Sequence, residues 1–327
     1  MTLATLLDYA VAHDASDLHL TADEPPRIRI DGKLSIIPDS TTVDVATIIS
    51  DLCDDNIRQQ LTTDHDIDFA FTHKKQARVR ANVYYTQMGL AAAFRLIPAK
   101  IPNLTSLKLP NVVDSFTQFP HGLVLVTGPT GSGKSTTLAA MINDINLSSE
   151  KHIITIEDPI EYLHRSERSL IHQREIRRHA KNFQRTLRAA LREDPDILML
   201  GEMRDLETIR LALTAAETGH LVFATLHTPS TSQSIYRIVD AFPSGEKELV
   251  RMMLADSLQA VMTQTLIPKK ARGRVAAMEI MIANTAIRNL IRENKIAHMA
   301  TVIQTSAAMG MQTMQQHVGQ LRKEGII

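Results

Sequence analysis

The first hundred residues carry short helical and strand patterns in alternation. Apolar residues recur at helical spacing between Thr2 and His13, at Leu3, Leu6, Leu7, Ala10 and Val11. The segments Asp17–Leu20, Arg27–Leu34 and Arg78–Tyr85 alternate polar and apolar residues as strands do, and the second predicts a hairpin that turns at Asp31-Gly32. These elements predict an α+β domain over residues 1–100.

A proline-rich segment divides the chain. Pro98, Pro102 and Pro110 interrupt any periodicity, so we predict a linker over residues 101–110 and a second domain over 111–327 that ends in a helical region. In the second domain short apolar strands alternate with helical segments, at 123–127, 153–156, 197–200 and 221–225. That alternation is typical of an α/β domain in which helices pack on a parallel sheet.

Composition narrows the classes of protein that fit. The chain has 327 residues, 44% of them apolar, which is enough for two hydrophobic cores. Its 36 basic residues balance 36 acidic ones, so nucleic acid is an improbable main partner. Cys53 is the only cysteine, which excludes an intrachain disulfide and favours a cytoplasmic location. The N-terminus has no basic leader and no apolar run is long enough for a span, so we expect no direct membrane insertion.

One motif predicts nucleotide chemistry. Residues 128–135 match the phosphate-binding loop, hereafter the P-loop, after an apolar strand and before a predicted helix. The residues predicted to bind ATP are Gly128, Pro129, Thr130, Gly131, Ser132, Gly133, Lys134, Ser135 and Thr136. Backbone amides of the loop would surround the phosphates, Lys134 would reach the β- and γ-oxygens, and the Ser135 hydroxyl would ligate Mg²⁺.

Carboxylates follow two of the apolar strands. Glu157, Asp158 and Glu161 come after one strand, and Glu202 follows another. Acidic side chains at this edge of a parallel sheet can hold the metal ion or orient water for phosphoryl transfer. The residue at the position of Glu202 is usually Asp, and Asp158 before Pro159 is as readily explained as a solvated turn residue.

Four strings together resemble one family. They are residues 128–136, 154–164, 191–196 and 218–228, and they are similar to the Walker A motif, Asp box, atypical Walker B motif and His box of the type II/IV secretion ATPase superfamily. Ala286–Asn294 and Gly310–Met314 resemble signatures of its PilT-like branch, the retraction ATPases of type IV pili. With Ser16–Leu20, the resemblance extends over nearly the whole chain and implies a PAS-like domain followed by a RecA-like P-loop ATPase domain.

The resemblance implies roles for individual side chains. Glu161 would be the catalytic carboxylate that activates water, and Glu202 would support Mg²⁺. His220 and His227 match the histidines of the His box. The resemblance implies that His227 is one of the catalytic residues and that His220 contacts the nucleotide. Arg80 and Arg95, together with Arg78, match arginines that the first domain offers to a nucleotide. Which arginine completes the site stays open, and exposed strand arginines without a role are the alternative.

Function and partners follow from the same resemblance. It implies a Mg²⁺-dependent ATPase motor that powers pilus retraction and twitching motility, assembled as a homo-oligomer in a hexameric ring and attached at the inner membrane through a pilus platform protein. An ATPase for pilus assembly or type II secretion would share this chemistry. A regulatory nucleotide sensor and a DNA-translocating protein are less favoured alternatives. The basic stretch from Arg165 to Arg185 is either a contact surface or a solvated face.

Overall fold

The computed structural model describes residues 1–74, 77–271 and 273–327 and divides into two compact units. The first unit comprises Met1–Ile101 together with Pro159–Leu163. The second comprises Pro102–Asp158 and His164–Ile327. Each has its own hydrophobic core, as the apolar content of the chain suggests.

The first unit is a six-stranded antiparallel sheet with helices on one face. Its elements are α1 (Leu3–Ala12), β1 (Asp17–Thr21), β2 (Arg27–Ile30), β3 (Lys33–Ile36), α2 (Val45–Leu52), α3 (Asp55–Asp64), β4 (Asp66–His73), β5 (Ala77–Thr86) and β6 (Gly89–Pro98). The strand order is β3-β2-β1-β6-β5-β4. The predicted first helix, the strands and the α+β class of this unit are confirmed.

Local chemistry explains these elements. Thr2, Asp44 and Asp54 cap α1, α2 and α3, because each side-chain oxygen accepts a backbone N–H of the first turn. The hairpin turns at Asp31-Gly32 as predicted, and both residues have positive φ, as the tight turns between twisted strands require.

The second unit contains a seven-stranded sheet between helical layers. Its elements are α4 (Val112–Phe116), β7 (Gly122–Thr127), α5 (Lys134–Ser148), β8 (His152–Glu157), β9 (Leu170–Glu175), α6 (Phe183–Ala190), β10 (Ile197–Leu200), α7 (Leu206–Glu217), β11 (Leu221–Leu226), α8 (Thr231–Asp240), α9 (Lys247–Ser257), β12 (Leu258–Pro268), β13 (Arg274–Ile282), α10 (Thr285–Arg292), α11 (Met299–Thr305) and α12 (Met314–Lys323).

The sheet of the second unit is parallel except at one edge. The strand order is β13-β12-β7-β11-β10-β8-β9, and only β13 is antiparallel to its neighbour. The four strands predicted from apolar runs form its centre and are fully buried or nearly so, because helices cover both faces. The parallel sheet is therefore confirmed, with an antiparallel edge strand that the pattern does not predict.

None of the helices in the described parts of the chain combines the length and the hydropathy that crossing a bilayer requires.

Candidate nucleotide-binding site

The P-loop lies between the end of β7 and the start of α5. Strand β7 pairs with β11 on one side and β12 on the other, so the loop leaves the carboxyl edge at the middle of the sheet. Gly128, the first loop residue, has φ +136°, and a Cβ there would lie 2.2 Å from the Gln264 carbonyl oxygen. Only glycine permits this approach of the loop to β12.

Lys134 and Ser135 begin the helix that follows the loop. The Lys134 ammonium donates to the carbonyl oxygens of Gly128 and Pro129, at 2.8 and 3.0 Å, which places a positive charge against the loop. Ser135 is exposed in the first turn of α5. A hydroxyl and an ammonium at a helix N-terminus are the donor set that phosphate and its metal ion require.

The loop also contains a buried polar atom that suits an anionic ligand. Ser132 is 3% exposed, and among the described residues its Oγ has no hydrogen-bond partner. A buried hydroxyl without a partner costs free energy, and a phosphate oxygen would supply an acceptor. Together with the close approach at Gly128, this atom indicates that the loop fits a nucleotide phosphate.

Gln264 supports the loop from β12 and was not predicted. Its side-chain amide donates to the Ser132 carbonyl at 2.6 Å and accepts the Thr137 hydroxyl at 3.0 Å. The sequence offers one indication of this role, which is an amide side chain within a mostly apolar segment. That indication becomes useful only when the strand is known to be buried, because a buried amide needs hydrogen-bond partners.

Glu202 follows β10, which is the second strand from β7 in the sheet. Its Oε1 is 3.2 Å from His227 Nε2, and its Oε2 accepts the Arg204 Nε–H at 2.7 Å. His227 itself directly follows β11. Since β11 is parallel to both β7 and β10, Glu202 and His227 lie at the same edge of the sheet as the P-loop.

Glu157 and Asp158 differ sharply in environment. Glu157 is 8% exposed, and its Oε1 accepts the Thr155 hydroxyl at 2.6 Å and the Gln173 amide at 3.2 Å. Asp158 is exposed. These bonds tie Glu157 to β9, whereas Asp158 has the exposure expected of a solvated turn residue.

The predicted arginines and Glu161 lie in the first unit. Arg80 and Arg95 are directly opposite one another on β5 and β6. Arg80 forms an ion pair with Asp68, and its Nη1 lies 3.7 Å from Glu161 Oε1. Arg95 pairs with Asp17 at 3.1 Å. The structure thus brings Arg80 together with Glu161.

Arg78 has a different environment on the same strand. It is only 7% exposed, and its Nε donates to the Ile160 carbonyl at 3.2 Å. This bond attaches the segment Pro159–Leu163 to β5, so burial and a main-chain contact explain Arg78 structurally.

The structure does not bring His220 to the P-loop. His220 precedes β11, and its carbonyl accepts the Gly122 N–H at the start of β7, whereas the loop follows the end of β7. Strand β11 has six residues, so about 20 Å separate the two edges of the sheet. The nucleotide contact predicted for His220 therefore does not arise at the P-loop of its own chain.

The basic stretch and the signature at residues 286–294 both lie in the second unit. The basic stretch, residues 165–185, contains the edge strand β9 and extends into the start of α6. Arg174 of β9 pairs with Glu193 at 2.8 Å. The signature 286–294 forms most of α10, where Ile287 and Ile291 are buried. Arg288 donates to the carbonyls of Ala255 and Asp256 at the end of α9.

A P-loop on a central parallel strand, with a carboxylate after another strand at the same edge of the sheet, defines a P-loop nucleotide-binding protein. Comparison with known proteins narrows this class. The sequence profile of the family described as "Type II/IV secretion system protein" matches residues 1–325. The chain belongs to this family.

Relatives and solved structures agree with that assignment. The chain is 51% identical over 329 residues to the type IV pilus retractation ATPase PilT of Pseudomonas aeruginosa, which covers 100% of this chain and 96% of the relative. It is 51% identical over 305 residues to a twitching motility protein of Neisseria gonorrhoeae, with 92% and 82% covered. A crystal structure of the pilus retraction motor PilT with bound ADP matches with a TM-score of 0.92 and 47% identity, covering 100% of this chain and 94% of that chain. The predicted family and fold class are confirmed.

Proposed function

We propose that the chain is a Mg²⁺-dependent ATP hydrolase that powers retraction of type IV pili and hence twitching motility. The observation that carries the proposal is the 51% identity to a retraction ATPase over the full length of this chain. The intact P-loop, with Lys134 and Ser135 at the start of α5, supplies the chemistry that such a motor needs.

The side chains of this protein divide the work of phosphoryl transfer. The loop amides and Lys134 bind and orient the phosphates, and Ser135 with Glu202 would hold the metal ion. Mg²⁺, when bound, offsets the charge that develops on the phosphate oxygens. Glu161 would accept the proton of the attacking water, and Arg80 and Arg95 would stabilise charge on the transferred group. These roles remain predictions.

Assembly and location complete the proposal. A homohexameric ring would arise from a head-to-tail contact that closes on itself, since such contacts form rings when the rotation permits. The ring would lie in the cytoplasm and be held at the inner membrane by a pilus platform protein.

Gene deletion with complementation tests the direction of work. Surface pili are counted in the host after deletion of the gene, with wild-type and Lys134→Ala copies returned in parallel. Excess pili without twitching, rescued only by wild type, would support retraction. Loss of pili would instead make the protein an assembly ATPase, and an unchanged count would contradict the proposal.

A further inference from the structure

We infer that Gln264 is a positioning residue whose buried side-chain amide holds the P-loop in the shape that receives phosphate. The inference deepens the proposed function and rests on it. Gln264 lies on β12, beside β7, and is 1% exposed.

Both ends of the Gln264 amide are occupied. Nε2 donates to the Ser132 carbonyl at 2.6 Å, while Oε1 accepts the hydroxyl of Thr137 at 3.0 Å. A carbonyl can only accept, so the nitrogen must face Ser132 and the oxygen must face Thr137. The side chain therefore links the last turn of the loop to the first turns of α5.

The neighbouring residue on β12 anchors the other end of the loop. The Thr263 hydroxyl lies 2.6 Å from the Thr127 hydroxyl, and both residues are almost completely buried. The Gln264 main chain is so close to Gly128 that a Cβ there could not be accommodated. Thr263 thus supports the loop where it begins, and Gln264 supports it where it ends.

Such support bears directly on phosphate binding. Amides that converge on an anion repel one another until the anion arrives, so the loop needs external bonds to keep that shape. Because Gln264 binds the carbonyl of Ser132, it orients the backbone around that residue before phosphate binds. Donors that are fixed in advance need no rearrangement on binding, which strengthens the interaction.

Purified full-length variants test the inference. Gln264→Met fills similar volume without hydrogen bonds, Thr137→Val removes the bond from the other side, and Thr137→Ser keeps it. Gln259→Met is the matched control, since Gln259 lies on the same strand but donates to the His121 carbonyl at the opposite edge of the sheet. The readouts are KM and kcat for ATP, the Kd of a fluorescent ADP analogue, and the midpoint of thermal unfolding.

We expect Gln264→Met to raise the KM for ATP and the Kd for the ADP analogue about tenfold, which corresponds to about 1.4 kcal/mol. Thr137→Val should shift both constants in the same direction, whereas Thr137→Ser and Gln259→Met should keep wild-type values. Because Thr137→Val breaks the same link, the test does not depend on Gln264→Met being stably folded.

Three results would overturn the inference. Wild-type constants in both Gln264→Met and Thr137→Val would show that the link does not position the loop. An equal rise in KM for Gln259→Met would show that the rise comes from general destabilisation and not from a change at the P-loop. A wild-type protein that neither binds the analogue nor hydrolyses ATP would overturn the proposed function as well, and this outcome is distinguishable because the wild type itself fails.

Discussion

Glu202 Oε1 lies 3.2 Å from Nε2 of His227, and this contact joins the ends of two parallel strands beside the P-loop. Arg204 holds the other carboxylate oxygen at 2.7 Å. The carboxylate is therefore fixed between two neighbours at the edge where the metal ion of a P-loop ATPase is held.

Replacement of Glu202 tests its proposed role toward Mg²⁺. Glu202→Gln keeps the shape of the side chain and removes its charge, so we expect the Mg²⁺ concentration for half-maximal ATPase activity to rise several-fold. Glu207→Gln is the control, because Glu207 lies in the first turn of α7 and pairs with Arg188. An unchanged Mg²⁺ requirement in Glu202→Gln would remove Glu202 from the metal site.

Lys134→Ala tests the P-loop itself. Loss of the ammonium removes the charge that orients the phosphates, so we expect ATP turnover to fall by about a hundredfold or more, measured as phosphate release. We expect the fold to be retained, which circular dichroism and thermal unfolding would check. Turnover at the wild-type rate would contradict the assignment of the site.

Two glutamates of the Asp box should respond differently. Glu161→Gln should bind ATP and hydrolyse it poorly, since an amide cannot accept the proton of the attacking water. Glu157→Gln should mainly lower stability, by about 1–3 kcal/mol, because Glu157 is buried and bonded to Thr155 and Gln173. Single-turnover hydrolysis and urea unfolding separate the two effects. Normal hydrolysis by Glu161→Gln would move the catalytic role elsewhere, with Glu157 the next candidate.

The P-loop glycines offer a matched pair. Gly128→Ala would place a Cβ 2.2 Å from the Gln264 carbonyl oxygen, whereas a Cβ on Gly131 would meet no atom within 4 Å. Gly131→Ala bears only the strain of a positive φ, about 1 kcal/mol. We therefore expect thermal unfolding and ADP affinity to suffer much more in Gly128→Ala. Equal effects would show that the contact with β12 does not constrain the loop.

A buried histidine predicts acid sensitivity of the C-terminal helix. His317 on α12 is 5% exposed, and its Nδ1 accepts the Met278 N–H of β13 at 2.9 Å. Burial lowers the pKa of His317 below the ordinary 6.5, so the folded state prefers the neutral ring. Its contribution to stability is complete above about pH 6.5 and is lost as the pH falls through the lowered pKa.

His317→Asn separates this effect from other titrations. The amide oxygen of asparagine can accept the same N–H and does not titrate, so the variant should lose less unfolding free energy between pH 7.5 and 5 than the wild type. The loss will not vanish, since burial also lowers the pKa of His164 to about 4. Identical pH profiles in urea unfolding would exclude His317 as the source.

Sequence patterns predicted most accurately the strands that are buried on both faces of the sheet. The central strands of the second unit are apolar runs, so they were found with boundaries within one or two residues. Strand β9 was not predicted, because its sequence, Leu-Ile-His-Gln-Arg-Glu, was interpreted as part of the basic stretch. An edge strand has one exposed side, and its pattern is correspondingly polar.

The residues of the candidate site likewise include some that the sequence predicts and others that only the fold reveals. Lys134 and Ser135 belong to a contiguous motif whose context is visible in the sequence. Gln264 comes from a strand more than a hundred residues further along, and only the order of strands in the sheet brings it to the loop. The length of β11 separates His220 from the P-loop, because His220 precedes this strand and His227 follows it at the opposite edge of the sheet.

Live imaging of fluorescently labelled pili tests the central claim most directly. Retraction events are counted in single cells of the deletion strain that carry either the wild-type gene or Lys134→Ala. We predict that pili form in both strains and shorten only in cells with the wild-type protein. Retraction at equal rates in both strains, or an absence of pili without the wild-type protein, would contradict a retraction motor.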